Sequence, residues 1–225
     1  MGDIVPIVFF LGLVALVLGA PRLGPFQDRR RVAATARELA ARHGLTPDSD
    51  PDPARGLGQP PLSGAPFHYG SARRLVDRVT GSLGALPVTA AGYTCRENGA
   101  THVYGVVLVT MPYPVAPAEV RHEPVFHSVR VVEPLPEGLS RTGVPDFDDR
   151  YRAYTSDPHA ALTVLSAEGA RALLAAPEPF SWRSEGTGLL LWRAGGWSSA
   201  QALVGCVSAV TSLLGQAGPV TADQG

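Results

Sequence analysis

The 225-residue chain has no lysine and only two cysteines, and each scarcity closes off a class of function. Its 19 basic side chains, all arginine, offset 20 acidic ones to a formal charge of −1. The basic field with which nucleic-acid-binding domains neutralise phosphates is therefore missing, and nucleic acid is not an expected partner. The absence of lysine, with isoleucine only at 4 and 7 and asparagine only at 98, reads as the bias of a GC-rich coding sequence and not as chemistry. Cys95 and Cys206 lie far apart without CxxC or metal-ligand spacing, which excludes the framework of a small disulfide-rich protein. They are expected as buried thiols. A single disulfide between them is the alternative, and it would go with an extracytoplasmic domain.

Catalytic and nucleotide signatures are also missing. No GxSxG nucleophile elbow occurs, and GSLG at 81–84 lacks its spacing. No GxGxxG or P-loop is present, so no cofactor is expected. The run HEPVFH (122–127) resembles a zinc-protease HExxH, but two ligands on one helical face need i and i+4, and His122 and His127 are five apart with Pro124 between them. Asp146, Asp148 and Asp149, close to Asp157, could act as paired carboxylates, yet Asp148 and Asp149 are adjacent and Arg150 and Arg152 are ready partners. No catalytic, cofactor-binding or metal residue is assigned. Trp182, Trp192 and Trp197 are expected in the core, and PYPVAP (112–117) is expected to terminate a strand instead of presenting a polyproline ligand.

What the chain does have is an apolar start. From Ile4 to Ala20 no side chain is charged or strongly polar, and twelve of the 17 are Leu, Ile, Val or Phe. At roughly −0.3 to −0.6 kcal/mol each, these residues favour insertion by about 4 to 7 kcal/mol. A helix over this run is about 26 Å long against a hydrocarbon core of ~30 Å. The sequence thus predicts an uncleaved single-pass membrane anchor carrying Ile4, Val8, Leu11, Val14 and Leu18. A cleavable leader fits less well, because the run lacks a basic n-region and Pro21 would follow the cut. Basic residues lie only on its C-terminal side, at Arg22, Arg29, Arg30 and Arg31, so the main domain is expected in the cytoplasm, with an extracytoplasmic domain as the alternative.

Beyond the anchor (1–22), residues 23–44 read as a juxtamembrane amphipathic helix, capped by Asp28, with Val32, Ala36, Leu39 and His43 on one face. Residues 45–66, crowded with Pro, Gly and Asp, read as a linker partly wrapped on the domain, 67–216 as one globular domain, and 217–225 as a disordered tail. Within the domain, 86–95 and 101–111 form a hairpin around Asn98 and Gly99, and the apolar character of both faces of the second strand makes it central. Pro112, Pro114 and Pro117 should end that strand, with short strands following near 118–122 and 129–133. FDDRYRAY (147–154) reads as a strand, Asp157 and Ser166 as caps of two short helices, and 180–183 with 188–193 as a second hairpin. Ser198 or Ser199 caps a closing helix with Leu203, Val207, Val210 and Leu214 in one stripe. The fold class is α+β: an N-terminal transmembrane helix, then one mainly antiparallel sheet packed with helices.

Several of these segments carry a resemblance: the N-terminal run followed by arginines, RELAARHGL (37–45), PF (66–67), VTG (79–81), VTMP (109–112), FDDRYR (147–152), Asp157 with its helix, and LLLWR (189–193). Over nearly its whole length the chain resembles a family of uncharacterised single-pass membrane proteins of high-GC Gram-positive bacteria; the stretch 122–127 departs from it. The resemblance implies the anchor and the α+β fold and no reaction. The expected function is a membrane-anchored, non-enzymatic module whose partners are the lipid bilayer and an unidentified protein or small ligand. Two alternatives are a metal-assisted hydrolase using His122, His127 and Asp148, and a lipid-surface module read by Arg22 and Arg29–Arg31.

Overall fold

A type I′ hairpin needs two consecutive residues at positive φ, and Asn98 and Gly99 supply them at φ 49° and 79°. In the computed structural model they join the third and fourth strands of the chain with Glu97 opposite Ala100. The structure describes residues 4–48, 64–122, 139–155 and 157–217, with the side chains of 4–23, 139–140, 159 and 217 outside the description. In chain order the elements are α1 (Ile4–His43), β1 (Thr46–Pro47), β2 (Ser71–Leu83), β3 (Leu86–Glu97), β4 (Ala100–His122) and β5 (Leu139–Ser140). Then come α2 (Pro145–Asp148), β6 (Tyr151–Tyr154), α3 (Pro158–Leu162), α4 (Ala167–Leu174), β7 (Ser181–Ala194) and α5 (Ala200–Ala217). The strands form one antiparallel sheet in the order β1-β2-β3-β4-β6-β5, with β7 also paired to β4. The expected mainly antiparallel α+β architecture is what is found.

Both faces of the sheet are buried, and the sequence LLL at 189–191 shows why. Leu189 and Leu191 point into the larger core with Val88, Val107, Val109 and Trp182, whereas Leu190 joins Tyr93, Val106, Phe67 and Trp192 on the opposite face. Each fully buried leucine contributes roughly 1.5–3 kcal/mol, so a strand covered on two sides needs no polar alternation. Helices α1 and α5 pack over the larger core. Along α1 the inward residues are Val32, Thr35 and Leu39, followed after the helix by buried Leu45. Along α5 they are Leu203, Cys206, Val207, Val210 and Leu214. Local caps are where the sequence puts them. Ser166 Oγ accepts from Gly169 N at 3.2 Å, Ser199 Oγ from Ala202 N at 3.1 Å, and Asp157 Oδ1 from Ala160 N at 3.3 Å.

Four expectations are corrected. Helix α1 is continuous from Ile4 to His43, so Asp28 lies inside it and is not an N-cap. Pro112, Pro114 and Pro117 do not end β4, which runs on to His122. Register shifts toward β7 between Thr110 and Val115 and between Val115 and Ala118 accommodate residues that cannot donate to a ladder. The second hairpin does not exist: 181–194 is one strand, both halves of which pair with β4, and Gly186 sits opposite Val115 at an irregularity where a turn was expected. Finally, FDDRYRAY divides, with Pro145–Asp148 helical and only Tyr151–Tyr154 in a strand. Strand β2 was not read from the sequence at all. The expected strand at 129–133 and most of the tail lie outside the described residues.

Among the described residues no helix is long and apolar enough to cross a membrane. The apolar run Ile4–Ala20, with Val8, Leu11, Val14 and Leu18, falls in the part of α1 whose side chains are outside the description.

Candidate functional site

Side chains with chemical capacity are mostly occupied by the fold. Asp148, at the end of α2, accepts from Thr142 N at 3.1 Å and Thr142 Oγ1 at 3.0 Å through one oxygen and from Gly143 N at 3.2 Å through the other. Its carboxylate closes a loop, and Asp157 caps α3. Asp146 and Asp149 are exposed. His122 ends β4 opposite Tyr151, with ring centroids 5.1 Å apart; burial, together with Arg150 and Arg193, holds it below the ordinary histidine value of 6.5. Glu123 and His127 lie outside the described residues. Among the described residues no group of three or more His, Cys, Asp or Glu side chains could hold a metal ion. Asp148, named in the metal-assisted reading, already accepts three hydrogen bonds within its own loop.

Cys95 and Cys206 are free and buried, on opposite faces of the sheet. Burial pushes the Cys206 thiol up to about 12 and raises that of Cys95, so neither supplies the thiolate that nucleophilic chemistry needs. Trp182, Trp192 and Trp197 are all core residues.

Under α1, a cleft lined by Val32, Thr35, Leu39, Gly105 and Trp197 encloses about 10 Å³, room for a single water. It falls far below the roughly 300 Å³ of the smallest usual ligand pockets. The Trp197 indole N–H is buried beside it without a hydrogen-bond partner among the described residues. The start of α5 is likewise filled from within: Glu38 Oε2 accepts from Ala200 N at 2.9 Å, and Glu178 accepts from Ser198 N at 3.2 Å while pairing with Arg193 at 3.3 Å. Two carboxylates at a helix N-terminus suit its dipole and leave no anion site there.

Among the described residues, exposed arginines and two exposed large apolar side chains, Phe26 and Leu162, are open to contact with other molecules. The Arg22 side chain lies outside the description. Arg29 and Arg30 are exposed, Arg30 stacking on Phe26 at 4.3 Å, whereas Arg31 is tied to the domain through Gly195 O at 3.1 Å and pairs with Asp28 at 3.7 Å. The structure adds three exposed arginines that were not singled out, Arg73 and Arg74 at the start of β2 and Arg96 near the end of β3. Adjacent arginines at 73–74 were visible as a pair, but without β2 nothing placed them.

No protein-family profile matches the chain, and no curated protein matches it. Its fold is similar to the crystal structure of the mycobacterial trehalose monomycolate transport factor A, TtfA, with a TM-score of 0.57. The likeness covers 85% of this chain and 99% of that one at 15% sequence identity, which makes it a likeness of fold.

Proposed function

We propose that this chain is a membrane-tethered, non-enzymatic module that assists a transport process, acting through contacts with a protein or lipid partner. The observation that carries the reading is the fold likeness to TtfA, a trehalose monomycolate transport factor, over 99% of that chain. Side chains that could do chemistry being committed to the fold, as with Asp148, Glu178 and both thiols, points the same way. The tether is the run Ile4–Ala20, with the domain on the cytoplasmic side where Arg22 and Arg29–Arg31 follow it. The actinobacterial membrane-protein family resembled in sequence agrees with the mycobacterial origin of TtfA.

The test is removal of the chain from its host, followed by leaflet-specific labelling of exported envelope lipids. Accumulation of an exported lipid on the inner side, at an unchanged rate of synthesis, is expected. Unchanged export would overturn the transport reading. Alkaline phosphatase fused after Gly225 should be inactive, and activity there would overturn the cytoplasmic placement.

A further inference from the structure

The path of α1 across the sheet fixes which end of the domain meets the membrane. Val32 packs against Gly92 of β3, where a Cβ on the glycine would lie 2.6 Å from Val32 Cγ1. Leu45 packs against Gly81 of β2, the register partner of Val88. From Val32 to Leu45 the chain therefore follows β3 from Gly92 back toward Val88, antiparallel to the strand. Toward its N-terminus α1 heads the other way, past the Asn98–Gly99 end of the sheet.

The lengths agree. From Val32 to Ala20, the end of the apolar run, a helix rises about 18 Å. From Gly92 to Asn98, β3 advances about 20 Å. The hairpin tip thus reaches the level at which the apolar run stops.

Charge at this end is suited to anionic headgroups. Arg74 lies opposite Thr94, and Arg96 follows two residues later on the same strand face, the face that α1 covers at Gly92. Arg29 and Arg30 are on the adjoining turn of α1. All four are exposed, and none takes part in an ion pair among the described residues. The acidic residues nearby are Glu97, Asp77 of β2, which lines the cleft under α1 beside Val32, and Asp28, the last paired with Arg31; four exposed arginines outnumber them. We infer that Arg74 and Arg96, with Arg29 and Arg30, form a second membrane contact that rests the Asn98–Gly99 end of the sheet on an anionic lipid surface. This contact rests on the tether proposed above. It would convert a domain swinging on one helix into one held in a single orientation, each arginine near the surface strengthening the attraction about five-fold at low salt.

The test uses the full chain in liposomes with a headgroup-attached quencher and a fluorophore on Ala100→Cys, beside the tip, or on Ala85→Cys, in the β2–β3 turn at the opposite end. With about a third phosphatidylglycerol the label at 100 should be quenched and the label at 85 should not. Quenching at 100 should vanish in purely zwitterionic vesicles, in half-molar salt, and in R74Q/R96Q, whose unfolding midpoint is checked separately. An unquenched label at 100 in anionic vesicles, or quenching indifferent to the two arginines, overturns the proposal. Failure of the tether reads differently, as release of the chain from vesicles at alkaline pH; salt-sensitive co-flotation lost in R74Q/R96Q would then still support the contact, and its absence would refute it.

Discussion

Gly92 of β3 and Gly105 of β4 face each other in register, and the strip of bare backbone they leave is filled by Val32 from α1 and the indole of Trp197. Glycine weakens a strand by itself, so two in opposition mark a place where something else comes close. Here that approach seats the helix leading to the apolar run directly on the central strands.

A Cβ at Gly105 would lie 2.5 Å from Trp197 Cδ1 and 2.8 Å from its Nε1, and the ring is locked in the core. Gly105→Ala is expected to destabilise the fold by about 1–3 kcal/mol through overpacking. Urea unfolding monitored by tryptophan fluorescence measures this, and an unmoved midpoint would contradict the seating of Trp197.

Ser184 does the work of a ladder bond where β4 and β7 lose register. Its buried Oγ accepts from Ala118 N at 3.1 Å and donates to Ala116 O at 2.6 Å. Ser184→Ala leaves a buried N–H and carbonyl unpaired and should cost about 1–3 kcal/mol. Faster amide exchange at Ala118 is the local signature.

For Asp148, the three hydrogen bonds to Thr142 and Gly143 predict a structural role. Asp148→Ala should lower stability by about 2 kcal/mol. Zinc and manganese should shift the melting temperature of neither the parent nor the variant; a metal-dependent rise in the parent, lost in the variant, would restore the hydrolase reading.

Acidification should weaken the fold through His122. Burial and the two arginines lower its pKa in the folded state beneath the 6.5 of the unfolded chain. As pH falls through 6.5 the unfolded state takes up the proton first, so this contribution is present above 6.5 and is lost as pH drops toward the folded value. The drop in unfolding midpoint between pH 7.5 and 5.5 should be smaller in His122→Gln. An equal drop in both chains would assign the pH dependence elsewhere.

Because both thiols are buried and shifted upward, Ellman's reagent at pH 8 should label neither in the folded chain within minutes. Both of the chain's cysteines should react in denaturant. Rapid reaction of one in the folded state would mean that its face of the sheet opens.

The difference between the two hairpin expectations shows what was legible. Asn98 and Gly99 form a two-residue turn with the positive φ it demands, and that chemistry is local. SEGT at 184–187 also contains a glycine at positive φ, but there it serves an irregularity in one long strand. The decision is made by β4, whose Val115 and Ala118 are the partners of Gly186 and Ser184. The candidate contact surface follows the same division. Arg29 and Arg30 stood out beside the apolar run, whereas Arg74 and Arg96 gained meaning only when β2 and β3 brought them to one face.

The sequence by itself determined the caps at Asp157, Ser166 and Ser199, the turn at Asn98–Gly99, the buried stripe of α5 and the two-sided burial of β4, because each depends on residues within a few positions of one another. Only the tertiary structure decided that β2 is a strand, that a proline-rich run stays in β4, and that β7 is unbroken. In those segments local preference is weak or adverse, and long-range pairing together with burial on both faces outweighs it.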